Sequence, residues 1–154
     1  MELVVNEWLM EYLRPNASHA EKALAQQFLQ RFMQREDDKI FVREPSAFLN
    51  KVFRYTKEYK NNTEILQFYR RFIKQILLDQ NKCCIVTENV DLHDAILEKL
   101  NQPNTNFYSD TYLFEAATFT KDKLIVTTDE KLAYQMRNIE AIKVVLLSDF
   151  LKDY

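Results

Sequence analysis

The sequence predicts a three-layer α/β/α sandwich with a central parallel sheet of four to five strands, in a single domain spanning residues 1–154. Two observations lead to this prediction. Short apolar segments alternate with amphipathic segments along the whole chain, which is typical of parallel strands joined by helices. The chain also has 154 residues, of which 47% are hydrophobic, so it is long enough to bury the core of one domain.

Five short apolar segments are the predicted strands. They lie at residues 3–5, 39–43, 83–87, 124–126 and 143–147. Helices are predicted between them from capping residues and from apolar periodicity. Ser18 and Glu21 form a capping box that begins a helix to about residue 35. Ser46 and Thr63 open two further helices, which end near residues 59 and 78. The remaining helices are predicted at residues 8–13 and 91–100 and from Asp110, Asp129 and Ser148, with a loop at residues 101–106.

The chain contains no glycine, so glycine-dependent phosphate-binding loops are absent. This argues against P-loop NTPases and Rossmann-type dehydrogenases. We expect the turns to use Asn, Asp and Pro instead. The two cysteines, Cys83 and Cys84, are adjacent within a predicted strand and are expected to be buried thiols rather than zinc ligands. The two histidines, His19 and His93, lack a surrounding catalytic constellation and are not expected to be catalytic.

No apolar segment reaches the length of a membrane-spanning helix, and no secretory leader is recognisable. We therefore expect a soluble, cytoplasmic protein that does not bind membranes. The net charge of −2 is unevenly distributed, because residues 43–74 carry eight basic and three acidic groups, a local charge of +5 that leaves −7 for the rest. Such clustering suggests an anionic partner, although a charged helical surface is often only solvated. The candidate nucleic-acid-binding residues are Lys51, Arg54, Lys57, Arg70 and Arg71.

Residues 109–132, SDTYLFEAATFTKDKLIVTTDEKL, are the most informative segment. Asp110 opens a helix that carries the small residues Ala116 and Ala117, and the apolar strand that follows ends in TTD, with Asp129 as its last residue. Carboxylates at the mouth of a parallel sheet suit the capture of a hard divalent cation. This segment resembles the C-terminal half of a PIN domain, a metal-dependent nuclease fold.

The resemblance to the PIN family covers nearly the whole chain in element order, but only the C-terminal third in motif. In that family four acidic residues gather at the carboxyl ends of the strands and hold Mg²⁺ or Mn²⁺, which activates water to hydrolyse single-stranded RNA. Asp110 and Asp129 match two of these acids and are the metal ligands that the resemblance implies. Counting along the chain places Asn6, after the first strand, and Asn50, five residues beyond Pro45, at the other two catalytic positions.

The two asparagines weaken the implied metal site. An amide has nearly the shape of a carboxylate but carries no charge and offers only one good oxygen ligand. We therefore expect Mg²⁺ or Mn²⁺ to bind weakly or not at all unless a nearby acid replaces the missing charge. The acids in question are Glu7, Glu11 and Glu44. For Asp110 and Asp129 the alternative interpretation is helix N-capping, in which Asp is a leading residue.

Three functions remain open from the sequence. The first is a divalent-metal-dependent ribonuclease for single-stranded RNA, such as the toxin of a toxin–antitoxin pair. The second is a catalytically degenerate PIN-like module that binds RNA or a protein partner, such as an antitoxin. The third is an unrelated α/β domain whose acids are only helix caps.

We also expect a homodimer, with the helical hairpin of residues 46–78 near the two-fold axis. This hairpin carries more aromatic residues than one side of a small sheet readily covers, and surplus aromatics with flanking arginines are typical of association surfaces. The aromatic residues are Phe48, Phe53, Tyr55, Tyr59, Phe68, Tyr69 and Phe72.

Overall fold

The structure is a computed structural model that describes residues 1–102 and 107–154, with residues 107 and 108 described by their backbone alone. Most of the predicted loop at residues 101–106 therefore lies outside the described residues. The predicted fold class is confirmed, because five parallel strands form one central sheet that helices flank.

The five strands are β1 (Glu2–Val5), β2 (Lys39–Arg43), β3 (Cys83–Val86), β4 (Leu124–Thr127) and β5 (Lys143–Leu146). Their order in the sheet is β3-β2-β1-β4-β5, and every neighbouring pair is parallel. The chain thus winds outward from β1 through β2 to β3, and then crosses back to add β4 and β5 on the other side of β1. This reversal places the carboxyl ends of β1 and β4 side by side at the centre of the sheet.

The α-helices are α1 (Trp8–Glu11), α2 (His19–Gln34), α3 (Ala47–Glu58), α4 (Thr63–Phe72), α5 (Asp94–Leu100), α6 (Thr111–Thr118), α7 (Glu130–Met136) and α8 (Leu147–Asp153). A π-helical turn, Ile73–Leu77, continues α4, and a 3₁₀ helix, Phe107–Asp110, precedes α6. Within the described ranges, no helix combines the length and the apolar composition that crossing a bilayer requires.

Some helices start at the predicted caps and others do not. The capping box is confirmed: the Glu21 backbone N–H donates to Ser18 Oγ over 3.2 Å, and the Ser18 N–H donates to the Glu21 carboxylate over 2.7 Å. The predicted start of α5 at Asp91 is wrong, because His93 occupies the N-cap position and its Nδ1 accepts a backbone N–H two residues later over 3.2 Å. This histidine therefore has a structural role.

Two further local predictions are corrected at the carboxyl-terminal half of the sheet. Ser148 does not cap α8, because Leu146 occupies its N-cap position and the helix already includes Ser148. The turn before β4 contains Lys123 with φ of 51°, the left-handed conformation that glycine usually supplies. In a chain without glycine, a lysine has taken this position, in addition to the Asn, Asp and Pro that we expected in turns.

The side chain of Trp8 anchors α1 immediately after β1. It is buried, and its Nε1 donates to the Val126 carbonyl of β4 over 2.9 Å. Its ring lies edge-on against Phe28 of α2, with 5.4 Å between centroids. Because a buried Trp replaced by Ala typically costs about 3–5 kcal/mol, this contact holds the start of α1 firmly against the centre of the sheet.

The aromatic residues of the helical hairpin are largely internal. Among the seven, only Phe53 is exposed, at 57% of its surface. Tyr69 is fully buried, its hydroxyl donates to the Met10 carbonyl over 3.3 Å, and its ring contacts those of Tyr55 and Tyr59. The predicted surplus of aromatic surface is therefore wrong as a reason for association, and the homodimer stays a prediction.

Candidate acidic site at the carboxyl edge of the sheet

The centre of the sheet is where the polar ends of β1 and β4 meet. Asn6 directly follows β1, Thr127 ends β4, and Asn6 Nδ2 donates to Thr127 Oγ1 over 3.1 Å. In open parallel sheets, a reversal of winding direction opens a crevice beyond the carboxyl ends of the two strands, where ligands commonly bind. The structure thus brings Asn6 and Asp129 to adjacent strand ends at this crevice.

At this crevice the charges of two carboxylates, Glu7 and Asp129, act on a third, Asp110. Glu7 occupies the N-cap position of α1, Asp110 that of α6 and Asp129 that of α7. Burial of Asp110, followed by the negative charges of Glu7 and Asp129, raises the pKa of Asp110 to about 6. All three causes act in the same direction, and no described basic residue opposes them.

Asp129 and Asp110 differ in what their side chains do locally. Asp129 Oδ1 accepts the backbone N–H groups of Lys131 over 2.8 Å and Leu132 over 3.0 Å, so it caps α7. Asp110 makes no side-chain capping hydrogen bond to α6. N-capping therefore accounts for Asp129 but does not account for the partly buried carboxylate of Asp110.

Of the three acids that could replace the missing charge, Glu7 is the one that acts on Asp110. Its Oε2 accepts a hydrogen bond of 2.7 Å from the hydroxyl of Tyr112, a buried residue of α6. Burial, together with the charge of Glu7 and this hydrogen bond, raises the pKa of Tyr112, so the hydroxyl remains a donor. The PIN resemblance places an acidic position at Asn6, directly after β1. The charged residue that acts on Asp110 is instead Glu7, the next residue along the chain.

Glu11 lies one helical turn after Glu7 but belongs to a different environment. Its Oε1 accepts a 2.8 Å hydrogen bond from the Tyr55 hydroxyl and lies 2.5 Å from Lys51 Nζ. Its Oε2 forms an ion pair of 2.6 Å with Arg14, without the alignment of a hydrogen bond. Burial acts to raise the pKa of Glu11, but Lys51, Tyr55 and Arg14 together lower it. Because these partners neutralise it, Glu11 does not replace a missing acid of the crevice.

The structure does not join Asn50 or Glu44 to the three acids. Asn50 is exposed on α3, and no described hydrogen bond involves its side chain. Glu44 is also exposed, and its backbone N–H continues the pairing of β2 with β3 by donating to Val86 over 2.8 Å. Of the four positions that the PIN resemblance implied, Asn6, Asp110 and Asp129 surround the crevice and Asn50 makes no described contact with it.

A buried arginine that sequence reasoning counted only as a basic group ends β2. Arg43 Nε forms a 2.9 Å ion pair with Glu115 of α6, and its guanidinium also donates to the carbonyls of Glu44 over 2.9 Å and Val86 over 3.0 Å. These bonds tie the ends of β2 and β3 to α6, whose N-cap residue is Asp110. The pair is neutral overall and therefore adds no charge to the crevice.

The donor chemistry of the crevice suits a hard cation, but the arrangement of the donors does not form a complete centre. Carboxylate and amide oxygens are typical ligands of Mg²⁺ and Mn²⁺. Among the residues that the structure describes, however, no three His, Cys, Asp or Glu side chains lie close enough together to hold one ion. Two of the acids are also restrained, Glu7 by Tyr112 and Asp129 by the N-terminus of α7.

The predicted nucleic-acid-binding residues separate into two groups. Lys51 is partly buried and is paired with Glu11, so its charge is used inside the protein. The others are exposed on the surface of the hairpin, and the guanidinium of one of them, Arg54, lies over the Tyr55 ring at 5.1 Å from its centroid. These exposed residues are Arg54, Lys57, Arg70 and Arg71.

Comparisons of this chain with protein-family models, with curated proteins and with solved structures find no match. The assignment of function therefore rests on the residues and their geometry.

Proposed function

We propose that the chain is a PIN-like ribonuclease that acts on single-stranded RNA at the crevice formed by Glu7, Asp110 and Asp129. One observation carries this proposal: the charges of Glu7 and Asp129 act on the partly buried carboxyl group of Asp110, with no described basic residue opposing them there, where the winding of a parallel sheet reverses. Holding like charges together in a partly buried crevice disfavours their ionised forms, and such an arrangement is typical of functional sites.

The proposed activity depends on Mg²⁺ or Mn²⁺, the metals of the resembled family. We expect millimolar affinity or weaker, because Asn6 contributes no charge and Asn50 is not joined to the crevice. Calorimetry with Mn²⁺ measures this affinity directly. Asn6→Asp should strengthen binding, because the new carboxylate would lie beside Thr127 at the crevice. Asn50→Glu is the matched control and should leave the affinity unchanged.

Cleavage is tested with a fluorescently labelled single-stranded RNA in the presence of Mn²⁺. Asp110→Asn should remove activity, since it keeps the size of the side chain and removes its charge. The control is Glu130→Gln, which neutralises an exposed acid next to Asp129 and should leave activity unchanged. Equal cleavage by the native chain and by Asp110→Asn would contradict the proposal.

The exposed arginines of α4 are proposed to bind RNA phosphates. Neutralising phosphates gives an affinity that falls steeply with salt and does not depend on base sequence. Replacing Arg70 and Arg71 together by Ala should weaken RNA binding. It should also reduce the slope of log affinity against log salt concentration by up to about two. Lys152→Ala, on the exposed face of α8, is the matched control.

A second candidate function is a catalytically degenerate PIN-like module that binds RNA or a protein such as an antitoxin. Two contacts favour it: the hydroxyl of Tyr112 holds Glu7, and Asn6 uses its amide to bind Thr127. Under this proposal RNA binds and no cleavage occurs with any divalent metal. Binding that survives Asp110→Asn, with no cleavage by the native chain, selects this function. If no single-stranded RNA binds at low salt, both RNA functions fail and a protein partner is favoured.

A further inference from the structure

Among the described residues, no strand pairs with the outer side of the edge strand β3, which pairs only with β2. The carbonyl of Lys82 accepts the N–H of Ile40 in β2 over 2.9 Å, and the carbonyl of Val86 accepts the N–H of Glu44, directly after β2, over 2.8 Å. Alternate residues of a strand bond to the same neighbour. The backbone N–H and C=O of Ile85, which lies between these bonding positions, therefore point away from β2, as does the C=O of Cys83.

The side chains beside this edge are apolar and partly exposed. Leu78, which follows the π-helical turn, is 73% exposed, and Ile85 is 38% exposed. They border an open cavity of about 400 Å³ whose other lining residues are Lys39, Leu77, Gln80, Cys83 and Cys84. Natural edge strands usually carry lysine, proline or a covering element that prevents pairing with another chain. The strand itself, CCIV, contains neither lysine nor proline.

We propose that β3 pairs antiparallel with β3 of a second copy of this chain, across a two-fold axis at Ile85, so that the two sheets become continuous. A two-fold interface must be complementary to itself. The outward backbone groups meet this requirement, because the N–H and C=O of Ile85 match those of Ile85 in the second copy. Two residues away, the N–H of Thr87 donates to the Glu88 carboxylate over 3.2 Å within one chain. In the dimer this N–H would exchange that acceptor for the C=O of Cys83 in the second copy, which releases Glu88.

The charges near the two ends of β3 are complementary in the same arrangement. Lys39 lines the cavity near the start of the strand, and Glu88 is exposed just after its end. Antiparallel pairing places the end of one copy beside the start of the other, so Glu88 approaches the basic end of the second copy. A parallel pairing would instead bring like charges together. The acidic crevice lies between β1 and β4, so this inference does not rest on the proposed function.

The first experiment removes the backbone donor at the centre of the proposed interface. In Ile85→Pro the outward N–H is lost, while the hydrogen bonds from β3 to β2 belong to the neighbouring residues and are retained. Light scattering at tens of micromolar should give a dimer for the native chain and for the control Ile85→Val, and a monomer for Ile85→Pro. If Ile85→Pro fails to fold, Ile85→Lys, which opposes two charges across the axis, should also give a folded monomer. A monomeric native chain, or a dimeric Ile85→Lys, overturns the proposal.

The second experiment locates the axis by disulfide trapping. In a directly opposed, hydrogen-bonded antiparallel pair the Cα atoms lie about 5.5 Å apart, which a disulfide can span. Ile85→Cys in a Cys84→Ser background should therefore form a covalent dimer under mild oxidation. The remaining Cys83 is buried, and burial raises the pKa of its thiol to about 12, so it reacts little.

The matched control for trapping is Phe53→Cys in the same background, an exposed position on the helical hairpin. The β3 interface predicts cross-linking at position 85 and none at position 53. Cross-linking at position 53 alone would overturn the proposal and place the two-fold axis at the hairpin instead.

Discussion

Glu7 and Glu11 stand one helical turn apart near the start of the chain, yet they lie in opposite electrostatic environments. Glu7 adds its charge to those of Asp110 and Asp129, and the pKa of Asp110 rises to about 6 through burial and these two acids. Glu11 meets two cations and a phenol, and its pKa falls. The protein therefore places basic residues around Glu11, whereas only burial and two further acids act on the pKa of Asp110. An uncompensated negative crevice at a strand-end reversal is what a site for an external cation requires.

The two environments have opposite consequences for stability as the pH changes. A lowered pKa, as at Glu11, stabilises the folded state above the unfolded pKa of about 4.5, and this stabilisation is lost as the pH falls through the folded value. A raised pKa, as at Asp110, means that the folded state binds the proton more tightly. The stabilisation from Asp110 is fully present below the unfolded pKa of about 3.8, and it is lost as the pH rises through the folded pKa of about 6. The crevice therefore destabilises the fold at neutral pH.

The largest expected effect concerns the ion pair between Arg43 and Glu115, at the same edge of the sheet. Arg43→Ala should lower the free energy of unfolding by about 3 kcal/mol, because it removes a buried cation, leaves Glu115 without its ion-pair partner and takes one donor from each of the Glu44 and Val86 carbonyls. Urea unfolding at pH 7 measures this loss. Arg43→Lys keeps the charge but not the several N–H donors of the guanidinium, so it should restore only part of the lost free energy of unfolding. An unfolding free energy unchanged by Arg43→Ala would mean that these contacts are not formed in solution.

Removing the neutralised acid should also destabilise the protein. Glu11→Gln should cost about 1–2 kcal/mol at pH 7, because Lys51 and Arg14 lose their ion-pair partner while the polar side chain is kept. The difference between the two proteins should shrink as the pH falls through the lowered pKa of Glu11, where the native side chain becomes protonated. The exposed Glu130→Gln serves as control. A loss of stability that does not depend on pH would show that packing, not charge, holds Glu11.

Removing the central acid of the crevice should do the opposite. Asp110→Asn should raise the free energy of unfolding at pH 7.5 by about 1 kcal/mol, a discounted figure because the carboxyl group keeps partial access to solvent. Near pH 4 the two proteins should be equally stable. Thermal unfolding across this pH range tests the sign directly. Destabilisation at pH 7.5 would mean that a partner stabilises the Asp110 carboxylate.

The smallest expected effect tests the coupling between the acids themselves. Glu7→Gln should lower the pKa of Asp110 by less than about one unit, because burial is the larger cause and remains in place. An NMR titration of the Asp110 carboxyl carbon measures the change. Glu11→Gln, one turn away, should leave that pKa unchanged. If both substitutions shift it equally, the two environments are not separate.

Interpretation of the sequence succeeded where the signal is local. The Ser18–Glu21 capping box and the five apolar strands depend on residues that are close together in the chain, so their patterns are visible without coordinates. It was wrong for α5, because an imidazole can accept the capping hydrogen bond as an Asp side chain does. It also misjudged the hairpin, because composition alone did not reveal which aromatic residues the rest of the chain covers.

The sequence by itself determined the fold class, the strand segments and the polar strand end at Asn6, because periodicity and turn chemistry act over a few residues. Only the tertiary structure decided that Glu7 joins Asp110 while Glu11 pairs with Lys51. Both glutamates follow the same strand, and nothing local distinguishes them. A carboxylate's charge environment depends on groups that the order of strands brings within a few ångströms from distant parts of the chain. That order, and the open edge at β3 that results from it, exists only once the sheet has formed.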